Sequence, residues 1–164
     1  MLRRRRRIRL LPLLLIAVMA WGGWLVFGWL QTSFGSREAE LARVVDAFYA
    51  FEQQGDFGSS WELFHSDMHA RFTKESYIET RAHVFLNHFA VRTFSYTLDE
   101  PEFVGEWRMD ARAGKLSHVY RVKARTVFDS PIFGLFELAQ LCYIAQEDGE
   151  WRVLWDYRSE MGAE

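Results

Sequence analysis

Residues 8–30 are apolar apart from Arg9, and five consecutive arginines, Arg3 to Arg7, stand directly before them. As a helix, these 23 residues rise ~34 Å, enough to cross a hydrocarbon layer of ~30 Å. Pro12 falls near the first turn, where a missing N–H does little harm. Trp24, Phe27 and Trp29 gather at the far end, as aromatic-belt residues do. The arginines at the near end place the N-terminus in the cytoplasm and everything after Gln31 outside. The expected organisation is a cytoplasmic basic tail (1–7), a single-pass transmembrane helix (8–30), a polar linker (31–36), a domain over 37–158 and a short tail (159–164). The alternative for the first segment is a cleaved signal peptide, but its apolar stretch is too long and no A-x-A site follows it.

Charge separates the two parts of the chain. The first nine residues hold six of the 20 basic groups, and no acid precedes Glu38. The remainder carries 14 basic and 22 acidic groups, a net of −8. Such a domain is repelled by nucleic acid and anionic headgroups, so no nucleic-acid partner is expected. Its partners are the lipid bilayer through residues 8–30 and an envelope protein; sequence leaves the oligomeric state open. Cys142 is the single cysteine, so no internal disulfide forms, and its apolar setting in Leu141-Cys142-Tyr143-Ile144 reads as core.

Beyond the linker, the hydrophobic period is first helical, then alternating. Ser36 caps a helix from Arg37, with Leu41, Val44, Val45, Phe48 and Phe51 on one face and Gly55 at its end. Asp56-Phe57-Gly58 reads as a turn. Ser59 and Glu62 read as a capping box opening a second helix, with Trp61, Phe64 and Met68 on one side. Thr73 caps a third, with Tyr77, Ile78, Ala82 and Phe85 inward, ending near Asn87-His88. Strands follow over 91–98, 103–108, 117–128, 135–146 and 150–157. Asp148-Gly149 is a type I′ hairpin signal that pairs Ile144 with Val153 and Cys142 with Trp155. Ala113-Gly114-Lys115 marks a second hairpin turn. Three helices packed on an antiparallel sheet make an α+β domain. Trp151, Trp155 and Phe48 are expected in its core; Phe128 and Phe133, flanking Ser130-Pro131, are expected at an exposed apolar tip.

Several phrases in order resemble the nuclear transport factor 2-like (cystatin-like cone) superfamily. Val44 to Phe57 resembles that fold's first helix and turn, Trp61 to His65 and Thr73 to Ile78 its next two helices, and Ala145 to Asp156 its last hairpin. The set is most similar to the small N-terminal domain of low-affinity penicillin-binding transpeptidases. No S-x-x-K, S-D-N or K-T-G occurs in the sequence, so the resemblance implies no penicillin-binding catalysis. It implies a curved sheet enclosing a pocket, an extracytoplasmic placement and a non-catalytic spacer or binding role, here beside cell-wall machinery. Tyr49, Trp61, Trp107 and His118 are the residues expected to bind a ligand. An isomerase or dehydratase is the alternative, with Tyr49, Asp46, His118, Asp129 and Asp156 as the groups for acid–base work.

No cofactor, metal ligand or catalytic residue is assigned. His65 and His69 have i, i+4 spacing, but Ser66 stands where a zincin needs Glu, so both read as surface histidines. His83 and His88, five apart, fall on different helix faces.

Overall fold

The computed structural model describes residues 37–156. The expected basic tail, membrane span and linker, and residues 157–164, lie outside the described residues. No helix among the described residues is long and apolar enough to cross a membrane.

The first helix, α1, spans 37–54, and its buried stripe is Leu41, Val45, Phe48, Tyr49 and Glu52. Gly55, at φ +76°, ends it in the left-handed conformation that glycine tolerates best. The expected second helix is in fact two short ones, α2 (Phe57–Glu62) and α3 (Ser66–Arg71). Asp56, not Ser59, caps α2, because its carboxylate accepts from the Ser59 N–H, three residues on, at 3.1 Å. The break after Glu62 has a packing cause. Residues 63–65 turn aside to bond the outer edge of the last strand, with His65 N–H donating to Val153 O at 3.1 Å and Val153 N–H to Leu63 O at 2.9 Å. Covering that edge removes a row of unpaired groups.

Thr73 caps α4 (Lys74–His83) as expected, its hydroxyl oxygen accepting from Ser76 N–H. The helix then widens into a π-helical turn, Val84–His88. That turn corrects the reading of His83 and His88, since one residue per turn is added and the two rings meet at 4.8 Å. Ile78 is also corrected: it is exposed, and the inward stripe is Tyr77 and Arg81 of α4 with Phe85 of the π turn.

Five strands follow: β1 (Ser95–Leu98), β2 (Glu102–Trp107), β3 (Leu116–Ser130), β4 (Gly134–Glu147) and β5 (Glu150–Trp155). They form one open antiparallel sheet in the order β1-β3-β4-β5, with β2 pairing further along β3. The first strand starts later than expected because residues 91–94 do not pair with β3; Val91 N–H instead bonds Phe85 O across the π turn. The β4–β5 register is the expected one, with Cys142 opposite Trp155 and Ile144 opposite Val153. Asp148 and Gly149 hold φ of 52° and 85°, as a type I′ turn requires. At the other end of the long hairpin, Ser130 Oγ accepts from Ile132 and Phe133 N–H and donates to Phe89 O at 2.6 Å. This ties the turn to the chain after α4.

The helices pack on one sheet face. Trp155 is the hub, at 6.0 Å from Phe48, 5.0 Å from Phe64 and 5.9 Å from Tyr77, ring centre to ring centre. Phe128 is buried among Phe85, Phe89, Phe94 and Phe136, so it is not part of an exposed tip. The tip itself remains apolar: Ile132, Phe133 and Leu135 are exposed.

Candidate functional site

The α1 stripe continues past Phe48 to Glu52, a carboxylate with no exposed side-chain surface. An isolated charge there would be prohibitively costly, so its partners decide whether the fold is possible. Ser60 Oγ donates to Oε1 at 2.5 Å and Tyr77 OH to the same oxygen at 2.8 Å. Arg81 donates to Oε2 through Nε at 2.7 Å and also through Nη2. The carboxylate thus has four donors from α2 and α4, two on each oxygen. Burial works against the charge on Arg81, but Glu52 and Tyr77 outweigh it and hold the guanidinium above its usual range. Tyr77 is pushed well above the ordinary phenol range by burial and by the Glu52 charge. Arg81 also lies over the Phe85 ring at 4.7 Å and near Trp155 at 5.6 Å.

Beside this network, between α1, α4 and strands β3 and β4, lies a cavity of about 280 Å³. Phe85, Phe89, Phe94 and Phe128 form much of its wall; Arg81, Tyr49, Gln140 and Thr126 supply its polar atoms; Leu138 and Ala139 complete it. Leu138 is exposed and so stands at the mouth. Tyr49 OH donates to Gln140 Oε1 at 3.2 Å and lies 3.2 Å from Cys142 Sγ. Burial, then the neighbouring thiol, raises the Tyr49 phenol well above its ordinary range. None of the described residues lining the cavity is an acid or a histidine.

Of the four residues expected to bind a ligand, the structure brings only Tyr49 to this cavity. Trp61 stacks on His69 at 3.8 Å and donates its indole N–H to Phe72 O at 2.9 Å. Trp107 is buried elsewhere, stacked on Tyr143 at 4.1 Å, and its indole N–H has no partner among the described residues. Tyr143 points to the sheet face opposite Cys142, because alternate strand residues face opposite ways. His118 is exposed at φ 57°, close to Phe103 and outside the cavity. The acids considered for catalysis are also dispersed. Asp46 accepts from Tyr96 OH at 2.9 Å on the exposed side of α1, Asp129 is exposed, and Asp156 follows β5. His65 is buried rather than at the surface. Its Nδ1 accepts from Asp67 N–H at 3.1 Å, which makes it the cap of α3. His69 instead bonds Trp61 O at 2.9 Å.

The residues that sequence reasoning passed over are Glu52, Arg81 and Gln140. A signal existed for two of them. Residues 41, 45, 48 and 52 repeat at steps of four, three and four, which puts Glu52 on the buried stripe; Tyr77, Arg81 and Phe85 repeat at steps of four. Residue type argued the other way, since Glu and Arg are seldom buried without a partner.

The fold and cavity define an α+β domain with an aromatic-walled pocket and a buried ion pair beside it. No protein-family model matches this chain, and no curated protein matches it.

Proposed function

We propose that the chain is a membrane-anchored, extracytoplasmic, non-catalytic module of the cell envelope that binds a small ligand in the cavity beside Arg81. The observation that carries this reading is the lining itself. Small-molecule sites are concave and mostly apolar, with a few converging polar groups. Four phenylalanines with Arg81, Tyr49 and Gln140 fit that description. The alternative, an isomerase or dehydratase, has Tyr49 as a cavity hydroxyl in its favour. A general base must lie within hydrogen-bond reach of the substrate. The cavity's described lining offers neither carboxylate nor imidazole, and Glu52 is occupied by four donors behind Arg81.

The finer fold reading is a cone of helices on a curved sheet, as in nuclear transport factor 2-like domains, with the N-terminal domain of penicillin-binding transpeptidases as the most similar branch. It is supported by the order of helices and strands and by the position of the cavity between them. The membrane anchor and outward orientation rest on Arg3 to Arg7 and residues 8–30. Two measurements test the proposal. Protease added to intact spheroplasts should digest the domain; survival until the membrane is broken reverses the orientation. Native mass spectrometry of the chain released from its membrane should show a small molecule retained by the wild type and lost from Leu138→Trp, which closes the mouth. Equal retention by both would place the molecule elsewhere.

A further inference from the structure

Arg81 has five N–H donors, and those on Nε and Nη2 turn to Glu52. Among the described residues, Nη1 makes no hydrogen bond, while the side chain keeps 22% of its surface open and lines the cavity. Glu52 cannot follow it there, being fully buried and held from behind by Ser60 and Tyr77. A cation therefore lines the cavity while its counter-charge, Glu52, is fully buried and is not part of the lining. Beside it, Tyr49 OH and the Gln140 amide supply adaptable polar atoms. The rings of Phe85, which lies under the guanidinium, Phe94 and Phe128 form an apolar wall of the same cavity, each 5.2–5.6 Å from the other two. At about 280 Å³, the space falls just below the usual range of ligand sites (~300–1,000 Å³), which suits a compact ring rather than a long chain.

We infer that the cavity takes a compact aromatic carboxylate, its carboxylate on the Nη1 edge of Arg81 and Tyr49–Gln140, its ring among Phe85, Phe94 and Phe128. This rests on the binding role proposed above. Glu52 acts as a positioning residue, setting the rotation of the Arg81 fork without touching the ligand.

The test is calorimetric titration of the full chain in lipid nanodiscs, with empty nanodiscs as the blank. The probes are 1-naphthoate and its neutral isostere 1-naphthamide. Naphthoate should bind about ten-fold more tightly or better, because the guanidinium meets an anionic acceptor in place of a neutral carbonyl. Arg81→Lys keeps the charge but loses the fork; it should weaken naphthoate by a larger factor than naphthamide. Leu138→Trp should abolish both. Equal affinity of the two probes overturns the carboxylate class and leaves the binding role standing. Absence of binding by both probes at millimolar concentration overturns the inference, while the binding role is decided separately by the molecule retained in native mass spectrometry. Naphthoate binding that survives Leu138→Trp places the anion elsewhere and also overturns the inference. The wild-type comparison of the two probes decides the matter even where Arg81→Lys does not fold.

Discussion

Arg81 turns both Nε and Nη2 toward a single oxygen of Glu52, which leaves the other carboxylate oxygen to Ser60 and Tyr77. The arrangement joins α1, α2 and α4 through one buried group, and it places the guanidinium at the edge of the cavity. Because each member satisfies another, loss of any one is felt by the rest.

Glu52→Ala should therefore destabilise the domain by ~3–5 kcal/mol, since Arg81 loses its counter-ion in a largely buried site. Glu52→Met combined with Arg81→Met should lie closer to the wild type than Glu52→Ala alone, because no uncompensated charge remains. Urea unfolding of the three proteins measures both. A double variant less stable than the single one would show that the pair contributes net stability beyond its mutual neutralisation.

Trp155→Ala removes the ring on which Phe48, Phe64 and Tyr77 converge. A buried aromatic truncated in this way typically costs ~3–5 kcal/mol. Against a total stability of ~5–15 kcal/mol, the domain should melt far below the wild type or fail to fold. Circular dichroism melts check this; an unchanged midpoint would mean that the three rings repack without Trp155.

Stability should fall as the solution becomes alkaline. Burial raises the Cys142 thiol from 9.0 to about 12, and burial with the Asp46 hydrogen bond raises the Tyr96 phenol from 10.0 to about 12. Tyr49 and Tyr77 shift in the same direction. Between the unfolded and folded values, the unfolded chain binds fewer protons, so rising pH favours it. The contribution is complete below about pH 9 and is lost on approaching about pH 12. Urea midpoints across this window should decline, and Cys142→Ala should flatten the first part of the decline. The same burial should keep iodoacetamide off Cys142 until the domain unfolds.

Gly149→Ala should destabilise by ~1–2 kcal/mol. The cost is backbone strain alone: φ is +85° and nothing lies within 4 Å of an added Cβ. Asp148→Gly, at a φ of 52°, should be near neutral or slightly stabilising, because the turn already asks for a left-handed residue. Thermal melts of both variants separate strain from lost contacts. An unaffected Gly149→Ala would mean that the turn relaxes to another type.

The features legible in the sequence are those that neighbouring residues decide among themselves. Thr73 caps α4 because its side chain reaches an N–H three residues on, and Asp148-Gly149 sets the β4–β5 register because few dipeptides adopt its two positive φ angles. The change from a period near 3.6 to a period of two marked the passage from helices to sheet, and Trp155 followed from the register. What the tertiary structure decided is depth and long-range partnership. Periodicity tells which side of α1 faces inward, but not that Glu52 is buried at the end of that side, because its burial is tolerable only once Arg81, 29 residues away, is folded beside it. Tyr49 meets Gln140 across 91 residues, and the cavity exists only where α1, α4, β3 and β4 leave a gap between rings. Trp61 and Trp107 are the same residue type, yet one donates to the Phe72 carbonyl at a helix end and the other packs on Tyr143. Aromatic side chains bury against whatever surface the completed fold presents to them, and no local pattern records which surface that is.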